Sequence, residues 1–139
     1  MLRIFVLLLL VALLAVTAEK LTVESTAKWS DATTTYSLGT VISVEAEANS
    51  TWADVNGKIT TTADGYPNFP NITLRFTENN PHIMSMICCI NHELTTCANV
   101  GSKGTFVAKR EGYVSCFGND NEFTYDNNIG AINVEITAQ

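Results

Sequence analysis

An oxygen-rich segment near the carboxyl end of the chain, residues 117–136, carries the side chains best suited to chemistry. It reads FGNDNEFTYDNNIGAINVEI and crowds carboxylates and amides together ahead of an alternating strand. The polar residues crowded ahead of that strand are Asn119, Asp120, Asn121, Glu122, Thr124, Asp126, Asn127 and Asn128. Carboxylate, amide and carbonyl oxygens are the ligands that Ca²⁺ takes, about six to eight at a time. Because Asn and Asp are also common in turns, the segment predicts either a cation site or a solvated loop.

The spacing of this segment excludes a calcium loop of the EF-hand type. Counted from Asp120, the sixth position is Tyr125 where an EF-hand has glycine, and the twelfth is Ala131 where it has glutamate. Other oxygen donors remain available for a different geometry. They are Asp120, Thr124, Asn127 and Asn128, with Glu122 and Asp126 as further candidates.

Catalysis has little support in the same residues. Glycosidases use a pair of Asp or Glu carboxyl groups, and Asp120, Glu122 and Asp126 could imitate such a pair, but nothing else in the sequence supports that role. A loop rich in amides favours binding over hydrolysis. No serine–histidine–acid pattern is present, and His82 and His92 are predicted to be surface residues. We therefore expect a binding protein and not an enzyme.

The amino-terminal segment is typical of a secretory signal peptide. Residues 1–18 carry Arg3 and then an unbroken apolar run, with Val16 and Ala18 at the spacing that signal peptidase accepts. The run is too short for a stop-transfer helix. Cleavage after Ala18 is predicted to leave a single secreted domain, residues 19–139, without a transmembrane segment.

The charge of the chain restricts its partners. The full sequence has 8 basic and 14 acidic residues, so removal of Arg3 with the leader leaves a net charge of about −7. No basic patch exists that could neutralise phosphates, and nucleic acid is therefore not an expected partner. The acidity suits either solubility or the binding of a cation.

Four cysteines, Cys88, Cys89, Cys97 and Cys116, are the disulfide candidates. An even number in a secreted chain predicts two bridges, with three possible connectivities. Adjacent residues of a strand point to opposite faces, so Cys88 and Cys89 should have different partners. We favour Cys89 with Cys97 and Cys88 with Cys116. A zinc site is not expected, because the chain has two histidines and no CxxC spacing.

Two triplets have the form of N-glycosylation acceptors. They are Asn49-Ser50-Thr51 and Asn71-Ile72-Thr73. Both acceptor residues, Asn49 and Asn71, are expected on the surface.

Short runs of Thr, Val, Ile and Tyr, broken by Gly, Asn, Asp and Pro, predict an all-β protein. The predicted strands cover residues 21–25, 40–48, 71–78, 83–90, 104–109, 112–118 and 131–137. Residues 104–118 are expected to form a hairpin, and the apolar run 83–90 a central strand. Ile42, Val44 and Ala46 are expected on a buried face. About eight strands without a linker or repeat indicate one antiparallel β-sandwich of the jelly-roll kind.

The polar loop resembles the calcium site of the bacterial galactophilic lectins, which are small β-sandwich proteins of the galactose-binding type. The resemblance lies in the spacing Asp120-x-x-x-Thr124-Tyr125-x-Asn127-Asn128-x-Gly130, flanked by Asn119 and the strand INVEI. The segments GYVSCFGND, SMICCIN and GTVISVEAEANSTWAD are also similar to strands of that family. Asn91 stands where the family has glycine, and three residues are inserted before Trp52. The resemblance covers most of residues 19–139 in patches.

The resemblance implies a metal, a ligand and the residues that hold them. Calcium would be bound by side chains or main-chain carbonyls of Asp120, Thr124, Asn127, Asn128 and Val55. The sugar would contact Asp120, Asn121, Thr124 and Asn127. Two vicinal hydroxyls of galactose would complete the coordination of the cation in place of water. The implied protein is a secreted lectin for galactose-like glycans of glycoproteins or glycolipids, and a homo-oligomer is compatible with it.

Two departures leave the identity of the sugar open. The His-Pro-x-Gln segment with which the family contacts the primary hydroxyl of the sugar is absent, and residues 57–81 contain GYPNFP instead. Tyr66 or Phe69 of this stretch could stack on a sugar or pack within the turn. Trp29 and Trp52 are expected to pack.

The alternative function is that of a structural or interaction protein on the same fold, whose calcium only stiffens the loop or which binds no metal.

Overall fold

The structure, a computed structural model, describes residues 18–67 and 72–139. Three features of the sequence predictions therefore lie outside it: the leader up to residue 17, Phe69 and Asn71. Within the described ranges, no helix is long and apolar enough to cross a bilayer.

Eleven strands and one short 3-10 helix are present in the described residues. They are β1 (Ala18–Glu24), β2 (Ser30–Tyr36), β3 (Val41–Ala46), β4 (Trp52–Asp54), β5 (Ile59–Thr61), β6 (Asp64–Tyr66), β7 (Ile83–Ile90), β8 (Glu93–Asn99), β9 (Lys103–Val107), β10 (Gly112–Gly118), η1 (Tyr125–Asn127) and β11 (Ala131–Ala138). The additional strands are mostly short or rich in threonine, which is why apolar alternation did not reveal them.

Two antiparallel sheets form a β-sandwich. One sheet has the strand order β1-β11-β3-β9, and the other has the order β2-β10-β7-β6 with β8 also paired to β7. The strands β4 and β5 form a separate two-stranded ribbon. The predicted fold class, an all-β antiparallel sandwich, is confirmed.

The core follows the alternation that the sequence predicts. Ile42 and Val44 of β3 are fully buried and Ala46 is partly buried. The strand β7 is buried along its whole length, as expected for a central strand. Each such side chain stabilises the fold by about 1.5–3 kcal/mol. The same packing holds β7 and β10 rigidly, and β10 leads directly into the polar loop.

The predicted hairpin over residues 104–118 is wrong. β9 pairs with β3 in one sheet, whereas β10 lies between β2 and β7 in the other. Because β10 is almost entirely buried, its backbone groups need a strand on each side. Residues 108–111 therefore carry the chain from one sheet to the other.

The predicted strand over residues 71–78 is also wrong, since residues 72–78 contain no strand. The apolar pattern survives in part, because Phe76 is buried. Its backbone groups bond to a side chain: Phe76 N donates to Asn119 Oδ1 at 3.0 Å, and Asn119 Nδ2 donates to Phe76 O at 2.9 Å. A buried amide thus takes the place of a neighbouring strand, and hydrophobic periodicity cannot reveal such a partner.

Two disulfides fasten the central strands. Cys88 is bonded to Cys116, which joins β7 to β10, and Cys89 is bonded to Cys97, which joins β7 to β8. Both bridges are the predicted ones. A bridge typically contributes about 2–4 kcal/mol by restricting the unfolded chain.

The carboxylate of Glu19 ties β1 to the edge of β2. It accepts hydrogen bonds from the backbone N–H and hydroxyl of Thr33 and from Thr34 N at 3.0 Å. Burial raises the pKa of Glu19, but these hydrogen bonds outweigh it and lower the pKa to about 2 from its ordinary 4.5. The ionised form is therefore the one that stabilises the fold.

We expect Glu19→Gln to lower the stability of the protein near neutral pH. Because the folded-state pKa is depressed, the wild-type advantage should be complete above about pH 4.5 and should vanish as the pH falls through about 2. Urea midpoints of both proteins across this range measure it. Glu24→Gln, at the other end of β1, is the control. An advantage that stays constant with pH would contradict the assignment.

Candidate cation and ligand site

The polar loop begins where β10 ends and is anchored at both sides. After Gly118, Asn119 is fully buried, and its backbone N–H donates to Ser85 O at 2.9 Å. The hydroxyl of buried Tyr125, in η1, donates back to Gly118 O at 2.8 Å. Asn119 is thus a structural residue, and the loop between it and β11 has a fixed shape.

A second segment, remote in sequence, lies directly against this loop. Ala53 of β4 and Ile129 exchange two backbone hydrogen bonds of 2.8 Å, and Asn56 N donates to Asn127 O at 2.8 Å. Val55 lies between these contacts in a left-handed conformation, with φ of 53°. The tertiary structure therefore places the Trp52–Asp54 strand and Val55 beside Asn127.

Asp120 is a buried acid, with 4% of its surface exposed. Its carboxylate accepts hydrogen bonds from Asn121 N at 2.6 Å and from Asn128 Nδ2 at 3.0 Å. Burial raises the pKa of Asp120, these hydrogen bonds lower it, and the negative charge of Asp54 raises it again. The net effect is a raised pKa. A nearby cation would counter both causes of the rise.

The side chains of Asn127 and Asn128 present two buried oxygens without hydrogen-bond partners. The orientation of Asn128 is determined, because its Nδ2 donates to Ser25 O at 3.1 Å and to Asp120 at 3.0 Å. Its Oδ1 atom is therefore left without a donor. An unsatisfied buried polar atom costs about 1–3 kcal/mol. Two such oxygens in one loop, one of them on the amide that donates to the buried Asp120 carboxylate, fit a site for a cation.

Asp54 is a further acid of this site that sequence reasoning missed. It is 5% exposed, and its carboxylate accepts hydrogen bonds from Val55 N and from the hydroxyl of Tyr66. Burial, that hydrogen bond and the charges of Asp54 and Asp120 raise the pKa of Tyr66. The sequence offered one indication of this acid: Asp54 directly precedes Val55, which the family resemblance implies as a calcium ligand.

The remaining predicted residues divide between the site and solvent. Thr124 is partly buried; its carbonyl accepts from Asn127 N at 3.0 Å, and its N–H donates to Asn121 O at 3.1 Å. The carboxylates of Glu122 and Asp126 belong to exposed residues, and Glu122 pairs with Lys28 at 3.3 Å. Glu122 and Asp126 thus face solvent, whereas composition alone did not distinguish these two acids from the candidate ligands.

The tryptophans were expected to pack and the histidines to lie at the surface, and the structure agrees. Trp52 is buried and Trp29 is partly buried, while His82 and His92 are exposed. Asn49, a candidate acceptor for glycosylation, is exposed in the turn that follows β3.

The candidate ligands of the loop are oxygen atoms of amides, carbonyls and a carboxylate. Within residues 18–67 and 72–139, no group of three or more His, Cys, Asp or Glu side chains is suited to a metal. A cation here would depend on amide and carbonyl oxygens as well as carboxylates. Hard Ca²⁺ accepts such a mixed set, whereas zinc prefers nitrogen and sulfur.

Comparison with known proteins reveals a shared fold. No protein-family model matches the sequence, and no curated protein matches it. Among solved structures, the chain is similar to one described as "EclA N-terminal domain; PllA-like lectin", with a TM-score of 0.62 and 22% sequence identity. The similarity covers 89% of this chain and 98% of that one. At this identity it establishes that the two have the same β-sandwich fold.

Proposed function

We propose that this protein is a secreted, calcium-dependent lectin that recognises a galactose-like glycan. The observation that carries the proposal is the pair of partnerless buried oxygens, Asn127 Oδ1 and Asn128 Oδ1, in the loop that also carries the buried carboxylate of Asp120. The loop spacing that resembles bacterial galactophilic lectins supports it, as does a fold shared with a solved lectin domain.

In this proposal the chain holds calcium with oxygens from both segments. The side chains of Asp120, Asn127 and Asn128 and the carbonyls of Thr124 and Val55 would be the protein ligands. Bound calcium supplies a centre on which sugar hydroxyls replace water. Around it, Asp120, Asn121 and Asn127 would orient the sugar by hydrogen bonds. The function is recognition, and no residue is assigned a catalytic role.

In this proposal, Tyr66 does not stack on the sugar. Its hydroxyl donates to Asp54, and the pair would form a wall of the proposed site. The wall would hold Asp54 beside the cation and would leave the sugar face to other residues. Asp54 would then act mainly by its charge.

A glycan array read in calcium and again in chelator tests the proposal. Galactose-terminated glycans should be bound in calcium and released by chelator, and Asn127→Ala should abolish binding, because it removes both a cation ligand and a sugar contact. Asp126→Asn, an exposed change in the same loop, should bind normally. Calcium binding without chelator-sensitive glycan binding would instead favour a calcium that only stiffens the loop.

We expect Asp54→Asn to weaken calcium binding by roughly tenfold while the protein stays folded. The change removes one negative charge near the cation and keeps the shape of the side chain. A tenfold loss of affinity corresponds to about 1.4 kcal/mol of lost electrostatic attraction. Calorimetric titration with CaCl₂ measures the effect. Asp64→Asn, an exposed acid of β6, is the matched control. Unchanged affinity in Asp54→Asn would remove Asp54 from the site.

A further inference from the structure

A second groove borders the polar loop on the side of β8. It has a volume of about 650 Å³ and is bounded by side chains of Trp29, Arg75, His92, Leu94 and Phe123. Asn121 and Glu122 also line it. Because Asn121 follows Asp120 directly, the same loop forms a wall of the groove and a wall of the candidate cation site.

Packed rings form the floor of this groove. Trp29 stacks on His92 with ring centroids 4.7 Å apart and an interplanar angle of 14°. The guanidinium carbon of Arg75 lies 4.0 Å from the centroid of the Trp29 ring, and His92 Nε2 lies 2.8 Å from Asp31 Oδ1. These contacts hold the rings in place without a ligand, so binding would not include the entropic cost of ordering them.

Phe123 forms the rim of the groove and is 89% exposed, although it is a large apolar residue. Its backbone N–H donates to Asn121 Oδ1 at 3.0 Å, which holds this part of the loop in a defined turn. Leu94, on the same groove, is 42% exposed. Exposed apolar side chains around a concave, partly polar surface are typical of a binding site.

The groove has the chemistry that a sugar ring requires. A pyranose has an apolar face of C–H groups, which packs on an aromatic or aliphatic side chain, and a polar rim of hydroxyls. Phe123 and Leu94 offer the apolar contacts, and Asn121, Glu122 and His92 offer hydrogen-bond partners at the edges. The pair Lys28–Glu122, at 3.3 Å, makes the Glu122 side of the groove close to neutral.

We propose that this groove binds the sugar unit next to the one held at the calcium site, so that the protein recognises an oligosaccharide and not a lone terminal sugar. The inference rests on the proposed function. Two observations support it: loop residues 121–123 are continuous with Asp120, and the aromatic floor is preformed. Phe123 is the residue that decides the preference for longer glycans.

Titration with two kinds of sugar tests this inference. The probes are methyl galactoside and a set of galactose-terminated di- and trisaccharides, each in CaCl₂. Wild type should bind at least one oligosaccharide about tenfold more tightly than methyl galactoside, as expected for one added stacking contact. Phe123→Ala should lose this gain and should keep the affinity for methyl galactoside. Leu94→Ala should reduce the gain, and Leu38→Ala, an exposed apolar residue outside the groove, should not change it.

The outcomes separate the two proposals. Binding of methyl galactoside without any gain for the oligosaccharides overturns the groove assignment alone, as does a gain that survives in both Phe123→Ala and Leu94→Ala. If wild type in calcium binds neither kind of sugar, the proposed function is overturned, and the groove assignment falls with it. Since Phe123 is highly exposed, its replacement should leave the thermal stability unchanged, and a thermal melt checks this.

Discussion

If calcium binds at the proposed site it should stabilise the folded protein, and replacing Asp120 with asparagine is expected to abolish that stabilisation. Calcium at about 1,000 times its dissociation constant stabilises a folded protein by about 4 kcal/mol. For a domain of this size, that corresponds to a rise in melting temperature of roughly 10 °C or more. Asparagine keeps the size of the side chain but removes the charge that a divalent cation needs. The variant should show no rise, and thermal melts in CaCl₂ and in chelator measure it.

The control for this experiment lies in the same loop. Asp126→Asn removes the same charge from an exposed position and should retain the full calcium response. A calcium response of normal size in Asp120→Asn would exclude Asp120 as a ligand and, with it, the proposed site. Loss of the response in both variants would point to the net charge of the loop instead.

The second large effect is expected from Trp52→Ala, which should reduce the free energy of unfolding by about 3–5 kcal/mol. Trp52 is 1% exposed, and its indole N–H donates to Met84 O at 3.0 Å in the buried interior. The truncation removes a large buried side chain and leaves Met84 O without a partner. Because Trp52 precedes Asp54 and Val55 in the same segment, calcium affinity should fall as well.

Urea unfolding and calcium titration measure the two effects of this change. Trp52→Phe is the matched variant: it keeps a ring in the core, loses only the hydrogen bond and part of the volume, and should cost about 1–2 kcal/mol. A loss below about 1 kcal/mol in Trp52→Ala would contradict the packing described here. Normal calcium affinity in that variant would show that β4 does not position the site.

The strands that bury a complete face were predictable from the sequence. β7 and β11 have apolar residues at the spacing of a strand, and burial of those faces decides their conformation. Residues 72–78 and the connection 108–111 were not predictable, because long-range partners decide them. Asn119 supplies the hydrogen bonds in the first case, and the sheet partners of β9 and β10 decide the second.

The candidate site also has a part that was predictable from the sequence and a part that was not. The spacing Asp120, Thr124, Asn127, Asn128 lies within one loop, so its chemistry could be inferred from the chain alone. Asp54 belongs to a distant segment and reaches the site only because β4 pairs with Ile129 across the fold. No local pattern distinguishes such an acid from any other polar residue of a turn.

By itself, the sequence determined an acidic, all-β chain with two disulfides and an oxygen-rich loop, since these properties follow from composition and short-range spacing. The tertiary structure alone decided which oxygens are buried without partners, which acids face solvent, and that Asp54 and the Phe123 groove border the loop. The physical reason is that burial and hydrogen-bond partnership depend on what packs against a residue. For this loop, the packing partners come from β4 and from residues 72–78, which are far away in the chain.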